Sequence, residues 1–177
     1  MSVEKITPVF TGRVIQVNVE QVRLPNDYVA TLEMVYHPGG AAILALDDAN
    51  RVCLVRQYRH AAKGFIWELP AGKLDNKEPP LQTAQRELEE EAGRRASEWR
   101  SLGDCLSSPG IFTEVIHLFL ATGLTEVPNQ LEAAEVLDAH WVPFDEAVRM
   151  AQSGEIRDGK TLAALLRALP YVQTSAG

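Results

Sequence analysis

Two cysteines are too few for a disulfide framework, and no apolar run approaches the ~18 residues of a membrane-spanning helix. Cys53 lies in an apolar strand-like run and Cys105 near another, at no zinc-ligand spacing, so both read as small reduced core residues without chemistry. Positive charge is also scarce: 17 basic against 24 acidic residues gives 17 − 24 = −7. That balance argues against a nucleic-acid footprint and against a polybasic membrane patch. The opening stretch, MSVEKITPVF, lacks a signal peptide's apolar segment. The expectation is a cytoplasmic protein with neither nucleic acid nor membrane as partner. What the chain does have is 177 residues, 46% of them hydrophobic, enough to bury a substantial core in one compact unit.

The first half reads as strands: 14–24, 28–37, 39–48 and 51–59, separated by Pro, Gly, Asn and Asp turn signals. From Leu81 the period becomes helical. Leu81, Ala84, Leu88 and Ala92 form one apolar face, which ends at Gly93 where a C-cap glycine belongs. Strands resume at 101–108, 115–124 and 136–143, followed by helical stretches at 144–152 before Gly154 and 160–169 before Pro170. The pattern is α+β, a mixed sheet with helices added after a long strand block.

The helix carries RELEEEAG, with Glu87, Glu89, Glu90 and Glu91 crowded together. Like charges at i,i+3 or i,i+4 destabilise a helix by roughly 0.2–0.5 kcal/mol per pair. One reading is a solvated face beside the apolar one. There Arg86 pairs forward to Glu90, and Arg94 and Arg95 lie three or four residues from Glu90 and Glu91. The other reading is chemical. Glu87 and Glu91 are one turn apart with Glu90 beside them, within reach of a hard divalent cation that prefers oxygen ligands. The preceding loop, AGKLDNKEPP, suits a ligand site: Gly72 permits close backbone approach, and Pro79-Pro80 fix the entry to the helix.

The stretch from Gly72 to Arg94 resembles the Nudix box, G-x5-E-x7-R-E-U-x-E-E-x-G-U, with Gly72, Glu78, Arg86, Glu87, Leu88, Glu90, Glu91 and Gly93 in register. The final position, aliphatic in the pattern, is Arg94. The flanks WELPAGKLD (67–75), VRQYRHA (55–61), SSPGIFTEVIHLFLA (107–121) and GEIRDGKTLAALL (154–166) resemble the ADP-ribose pyrophosphatase subgroup. The resemblance implies a Nudix fold, a mixed β-sheet sandwiched between helices with an N-terminal antiparallel β region. It also implies Mg2+-dependent hydrolysis of the diphosphate bond of ADP-ribose or a related nucleoside diphosphate sugar, with Mn2+ able to substitute; the alternatives are a GDP-mannose or other nucleotide-sugar pyrophosphatase and a non-catalytic domain that binds a nucleotide sugar. Glu87 and Glu91 are then direct metal ligands, Glu90 a shared or second-metal ligand, and the carbonyl of Ala71 completes the set. Glu78 and Arg86 form a structural brace. Arg59 contacts the substrate diphosphate, Pro109 belongs to the substrate-binding segment, and Glu114 reads the distal ribose or the water network at the phosphates. The general base comes from the loop 127–138. Counting back from Trp141 reaches Ala133, which leaves Glu132 and Glu135 as equal candidates, with a box glutamate such as Glu90 as the third.

Several other features have plainer readings. Residues 154–161 satisfy the P-loop pattern G-x4-G-K-T, but they follow a helical pattern and leave no room for a nucleotide-binding sheet. Gly154 is expected to cap one helix and Asp158 to start the next. The four histidines lack ligand spacing. Trp67 and Trp141 fall in strand patterns and read as core, while Tyr28 and Phe10 are further candidates to stack on a nucleobase. By the same resemblance, residues 1–38 form a dimerisation region and 39–177 the catalytic domain. The strands at about residues 9–36 then help to build a partner's pocket in a homodimer.

Overall fold

The computed structural model describes residues 2–75, 78–128 and 136–172. It divides into two compact units, Met1–Gly39 with Leu106–Val115, and Gly40–Cys105 with Ile116–Gly177.

The first unit is built on an antiparallel sheet of β1 (Ser2–Thr11), β2 (Gln16–Arg23) and β3 (Val29–Tyr36), in that order. The register runs Ser2↔Arg23 to Thr11↔Gln16 on one side of β2 and Gln16↔Tyr36 to Arg23↔Val29 on the other. Strand β1 was not expected as a strand. Pro8 interrupts its pattern and every one of its residues is exposed, so it carries no in-out alternation to read. The segment 106–115 attaches to β3: Val35 N donates to Ile111 O at 2.8 Å, and Thr113 N donates to Val35 O at 2.9 Å.

The second unit holds β4 (Gly40–Ala45), β5 (Arg51–Arg59), β6 (Gly64–Glu68), β7 (Ala71–Lys73), α1 (Pro80–Ala92), β8 (Arg94–Leu106), β9 (Val115–Glu126), β10 (Leu137–Pro143), α2 (Phe144–Ser153) and α3 (Gly159–Ala168). One sheet has the order β10-β5-β6 and is antiparallel; the other has the order β7-β4-β9-β8. In the second sheet β4 pairs parallel to β9 and antiparallel to β7, so it is mixed, as expected.

Strand β4 is buried along its whole length because both of its faces are covered. Ala41, Ile43 and Ala45 pack in one apolar cluster with Ala84, Leu88 and Ala92 of α1. Ala42, Leu44 and Leu46 pack in a second cluster with Phe144, Ala147 and Met150 of α2 and Ala164 and Leu165 of α3. The period of two along the strand thus feeds two cores, and the sheet is sandwiched between helices. Leu81, expected on the apolar face of α1, is instead exposed, one turn before that face meets the sheet.

The helix ends fall where the turn chemistry puts them. Gly93 adopts φ 59° and its N–H reaches Glu89 O and Leu88 O, a left-handed cap closing α1. Gly154 (φ 82°) closes α2, and the Asp158 carboxylate accepts from Thr161 N at 3.1 Å to open α3. The P-loop-like stretch is therefore a cap-to-cap connection between helices. The new strand begins at once with Arg94, so Arg94 and Arg95 do not extend the helix toward Glu90 and Glu91. Arg94 pairs with Glu126 of β9, and Arg95 with Glu89.

Leu88 is fully buried between α1 and the sheet. Leu88→Ala is expected to cost about 2–5 kcal/mol of stability through the cavity it leaves. The check is the urea midpoint at unchanged slope; a loss under about 1 kcal/mol would contradict this placement of the core.

Candidate active site

Helix α1 presents more than its apolar stripe to the sheet. Glu91 is 2% exposed and Glu87 7%, so these two carboxylates do not lie on a solvated face; they line the buried flank of α1 beside β7. A buried carboxylate needs hydrogen bonds or countercharge. Glu91 Oε2 accepts the Ala71 N–H at 2.9 Å, which ties the helix to β7. Glu87 lies against Gly72: a Cβ on that glycine would stand 1.8 Å from Glu87 Oε1. The close approach that the sequence assigns to Gly72 is made to a side chain of its own chain.

Arg86 Nη1 lies 2.7 Å from Glu87 Oε1 and 2.7 Å from Glu90 Oε2, which supplies the countercharge that the crowded acids require. Burial acts to lower the pKa of this guanidinium, but Glu87 and Glu90 outweigh it and hold the value above the ordinary one. Its other end approaches Glu78 at 3.7 Å and Asp75 at 4.0 Å, while Glu78 Oε2 accepts the Thr83 hydroxyl at 2.9 Å. Arg86 is thus bonded first to the helix acids and only more distantly to Glu78. Among the described residues no three acidic, histidine or cysteine side chains stand in a ready-made metal-binding group. Glu91 stands beside the Ala71 backbone, Glu87 beside Gly72, and Glu90 shares the Arg86 guanidinium with Glu87.

Arg59, at the end of β5, donates from Nε to Glu68 Oε1 and from Nη2 to Glu68 Oε2, both at 2.8 Å. Glu68 is 2% exposed and also receives Lys160 Nζ at 2.7 Å. Lys160 in turn meets Asp158 Oδ1 at 3.0 Å. This four-residue ionic network was missed in the sequence, where Lys160 drew notice only as the lysine of a false P-loop.

Pro109 and Glu114 lie in the first unit. Ser108 O accepts Ile111 N at 3.2 Å and Phe112 N at 2.9 Å around Pro109, and Glu114 stands 3.3 Å from His37 Nδ1. The two loop candidates for the general base, Glu132 and Glu135, and Ala133 between them lie outside the described residues. Trp67 and Trp141 are half-buried against the two cores, and Tyr28 and Phe10 are exposed.

A family model described as NUDIX domain matches residues 36–165. The chain is 42% identical over 159 residues to an ADP-ribose pyrophosphatase of Mycobacterium tuberculosis (strain ATCC 25618 / H37Rv), covering 88% of this chain and 77% of that protein. It is 39% identical over 163 residues to a methanol dehydrogenase activator of Bacillus methanolicus, covering 91% of this chain and 88% of that one. Among solved structures, one titled as an ADP compounds hydrolase superposes with a TM-score of 0.82 at 18% identity, over 96% of this chain and 92% of that chain, which is a likeness of fold.

The Glu68 network predicts a pH dependence. Burial alone would raise the Glu68 carboxyl, but the hydrogen bonds from Arg59 and the charge and hydrogen bond of Lys160 outweigh it and hold it below its ordinary 4.5. The folded chain binds this proton less readily than the unfolded chain. The stability Glu68 contributes is therefore complete above pH 4.5 and is lost as pH falls through the lower folded value. Lys160→Met removes one of the lowering influences, so the acid-unfolding midpoint followed by circular dichroism is expected to move to higher pH. An unmoved midpoint would contradict this role for Glu68.

Proposed function

Since the chain belongs to the Nudix family, whose domain model spans residues 36–165, we propose that it hydrolyses the diphosphate bond of ADP-ribose or a related nucleoside diphosphate sugar. The products are a nucleoside monophosphate and a sugar phosphate, AMP and ribose 5-phosphate when ADP-ribose is the substrate. The observation that carries this reading is the pair of buried carboxylates Glu87 and Glu91, one turn apart beside β7 and adjoining Glu90. Apolar residues would serve the packing there; the two acids are instead held by the Ala71 N–H and the Arg86 guanidinium, which keeps carboxylate oxygens at a place where a hard cation could use them.

The donor set fits a hard divalent ion. Its atoms are carboxylate oxygens, and two of the acids already converge on one cation, the Arg86 guanidinium, which a metal ion would have to displace. Glu87, Glu90, Glu91 and the Ala71 carbonyl would hold Mg2+, or Mn2+ in its place. When bound, the ion supplies charge neutralisation at the phosphate oxygens and a lowered pKa for an attacking water. Arg59 binds a phosphate oxygen with its guanidinium, and Glu114 and the Pro109 segment contact the distal part of the substrate. Glu78 and Arg86 brace the loop entering α1. The oxygen of the water bonds to one phosphorus of the diphosphate as its proton passes to Glu132, Glu135 or Glu90, and the bridging P–O bond breaks, so that the nucleoside monophosphate and the sugar phosphate part.

The working assembly in this reading is a homodimer, with residues 1–38 as the dimerisation region and 39–177 as the catalytic domain. The exposed Val3, Ile6, Val9 and Phe10 of β1 support it, because so much apolar surface on one strand calls for a cover. A reducing cytoplasm suits the two free cysteines, Cys53 and Cys105.

With Mg2+ or Mn2+, the purified protein is expected to release monophosphate from at least one member of a panel of ADP-ribose, other ADP-sugars, GDP-sugars including GDP-mannose, and UDP-sugars. Glu90→Gln is expected to lower turnover by about a hundredfold or more with little change in thermal midpoint. Binding of a nucleotide sugar without release of monophosphate would identify a sensor and overturn the enzymatic reading. For the assembly, light scattering should give twice the chain mass at assay concentration and activity should fall on dilution. A monomer whose activity per chain is independent of concentration would remove the shared pocket.

A further inference from the structure

Lys160 has no part in the reaction as drawn, yet it is a largely buried lysine, 12% exposed, held between two carboxylates. It projects from the first turn of α3, and its ammonium shares Glu68 Oε2 with Arg59 Nη2, at 2.7 and 2.8 Å. The anchor of this lysine is firm. Asp158 Oδ1 accepts from its ammonium at 3.0 Å, while Asp158 Oδ2 caps the helix by accepting Thr161 N at 3.1 Å and the Thr161 hydroxyl at 2.6 Å. Thr161 Oγ1 also accepts Leu69 N at 2.9 Å, from the residue next to Glu68. The start of α3 is therefore joined to the end of β6 by two separate links, one ionic and one through a hydroxyl.

The chemistry of Glu68 gives this arrangement a purpose. An ionised carboxylate offers about four acceptor positions, and one as buried as Glu68 draws in every donor it can reach. If Arg59 were its only cation, the guanidinium would be pulled inward to satisfy it. With Lys160 taking part of the demand, Glu68 engages only Nε and Nη2 of Arg59, which leaves Nη1 outside that pair in a side chain 41% exposed. We propose that Lys160 is a positioning residue for substrate binding. Acting through Glu68, it aims the outer edge of the Arg59 guanidinium at the diphosphate. This rests on the reading of Arg59 as a phosphate contact and adds to it the residue that sets its direction.

The test is a double-mutant cycle on ADP-ribose hydrolysis with Mg2+, in which KM, kcat and thermal midpoint are measured for the wild type, Arg59→Ala, Lys160→Met and the double variant. The expected result is a KM raised about tenfold or more by Lys160→Met with kcat within about twofold of the wild type. The KM of the double variant should be no higher than that of Arg59→Ala alone, because the lysine acts only through the arginine. Lys160→Arg, which keeps a cation at the position, should recover most of the affinity. Lys160→Gln serves the same comparison if the methionine variant unfolds. A raised KM for Arg59→Ala alongside an unchanged KM for Lys160→Met overturns the positioning role, as do two effects that multiply in the double variant. An Arg59→Ala enzyme with the wild-type KM instead overturns the reading of Arg59 as a phosphate contact, and the proposal with it.

Discussion

The hydrogen bond from the Ala71 N–H to the Glu91 carboxylate fixes how α1 meets the sheet. A carboxyl group with 2% of its surface in contact with water has to find hydrogen-bond partners inside the protein, and this one finds a backbone amide of β7. Strand β7 pairs with β4, and β4 is packed between the two cores, so the carboxylate is tied to the strand that both cores share. Leu88, three residues earlier on α1, fills the core on the same side. The helix can neither roll nor slide without breaking one contact or the other. A site that must hold several oxygens in a fixed relation benefits from that constraint.

The parts of this arrangement that were legible in the sequence are those set by local chemistry. Periodicity located α1, glycine located its end at Gly93, and the alternating apolar runs located β2 to β5. Strand β7 escaped notice because three residues cannot display a period, and β1 because a fully exposed strand has none. The burial of Glu87 and Glu91 was illegible for another reason. A charge run on a helix looks the same whether its partner is water or a strand distant in the chain, and here the partners are Ala71 and Gly72. The ionic network at Arg59 was more remote still, since Glu68 and Lys160 are separated by 92 positions.

Arg94 shows how a departure from a motif can be absorbed. The pattern asks for an aliphatic residue after the capping glycine. The arginine instead lies over the Trp141 ring at 5.4 Å and reaches Glu126 at 2.9 Å, with a further hydrogen bond to the Gly93 carbonyl. The guanidinium carbon stands over the indole while Nη2 stays with the carboxylate. The packing requirement is met by a residue of the opposite polarity class, which a pattern written in residue types cannot anticipate.

Gly72 belongs to a different category from the glycines that cap helices. Its φ is not positive, so its backbone is open to any L-residue, and the nearest atoms that a side chain there would meet all belong to Glu87. The restriction at position 72 is therefore conditional on what stands at position 87. The two sites behave as one steric unit written in two places, in which a larger residue at one is admissible only with a shorter one at the other. A lineage that gave up the acid at position 87 would at the same step release the glycine from its constraint. Loss of the chemistry would then leave its trace in a residue that performs none.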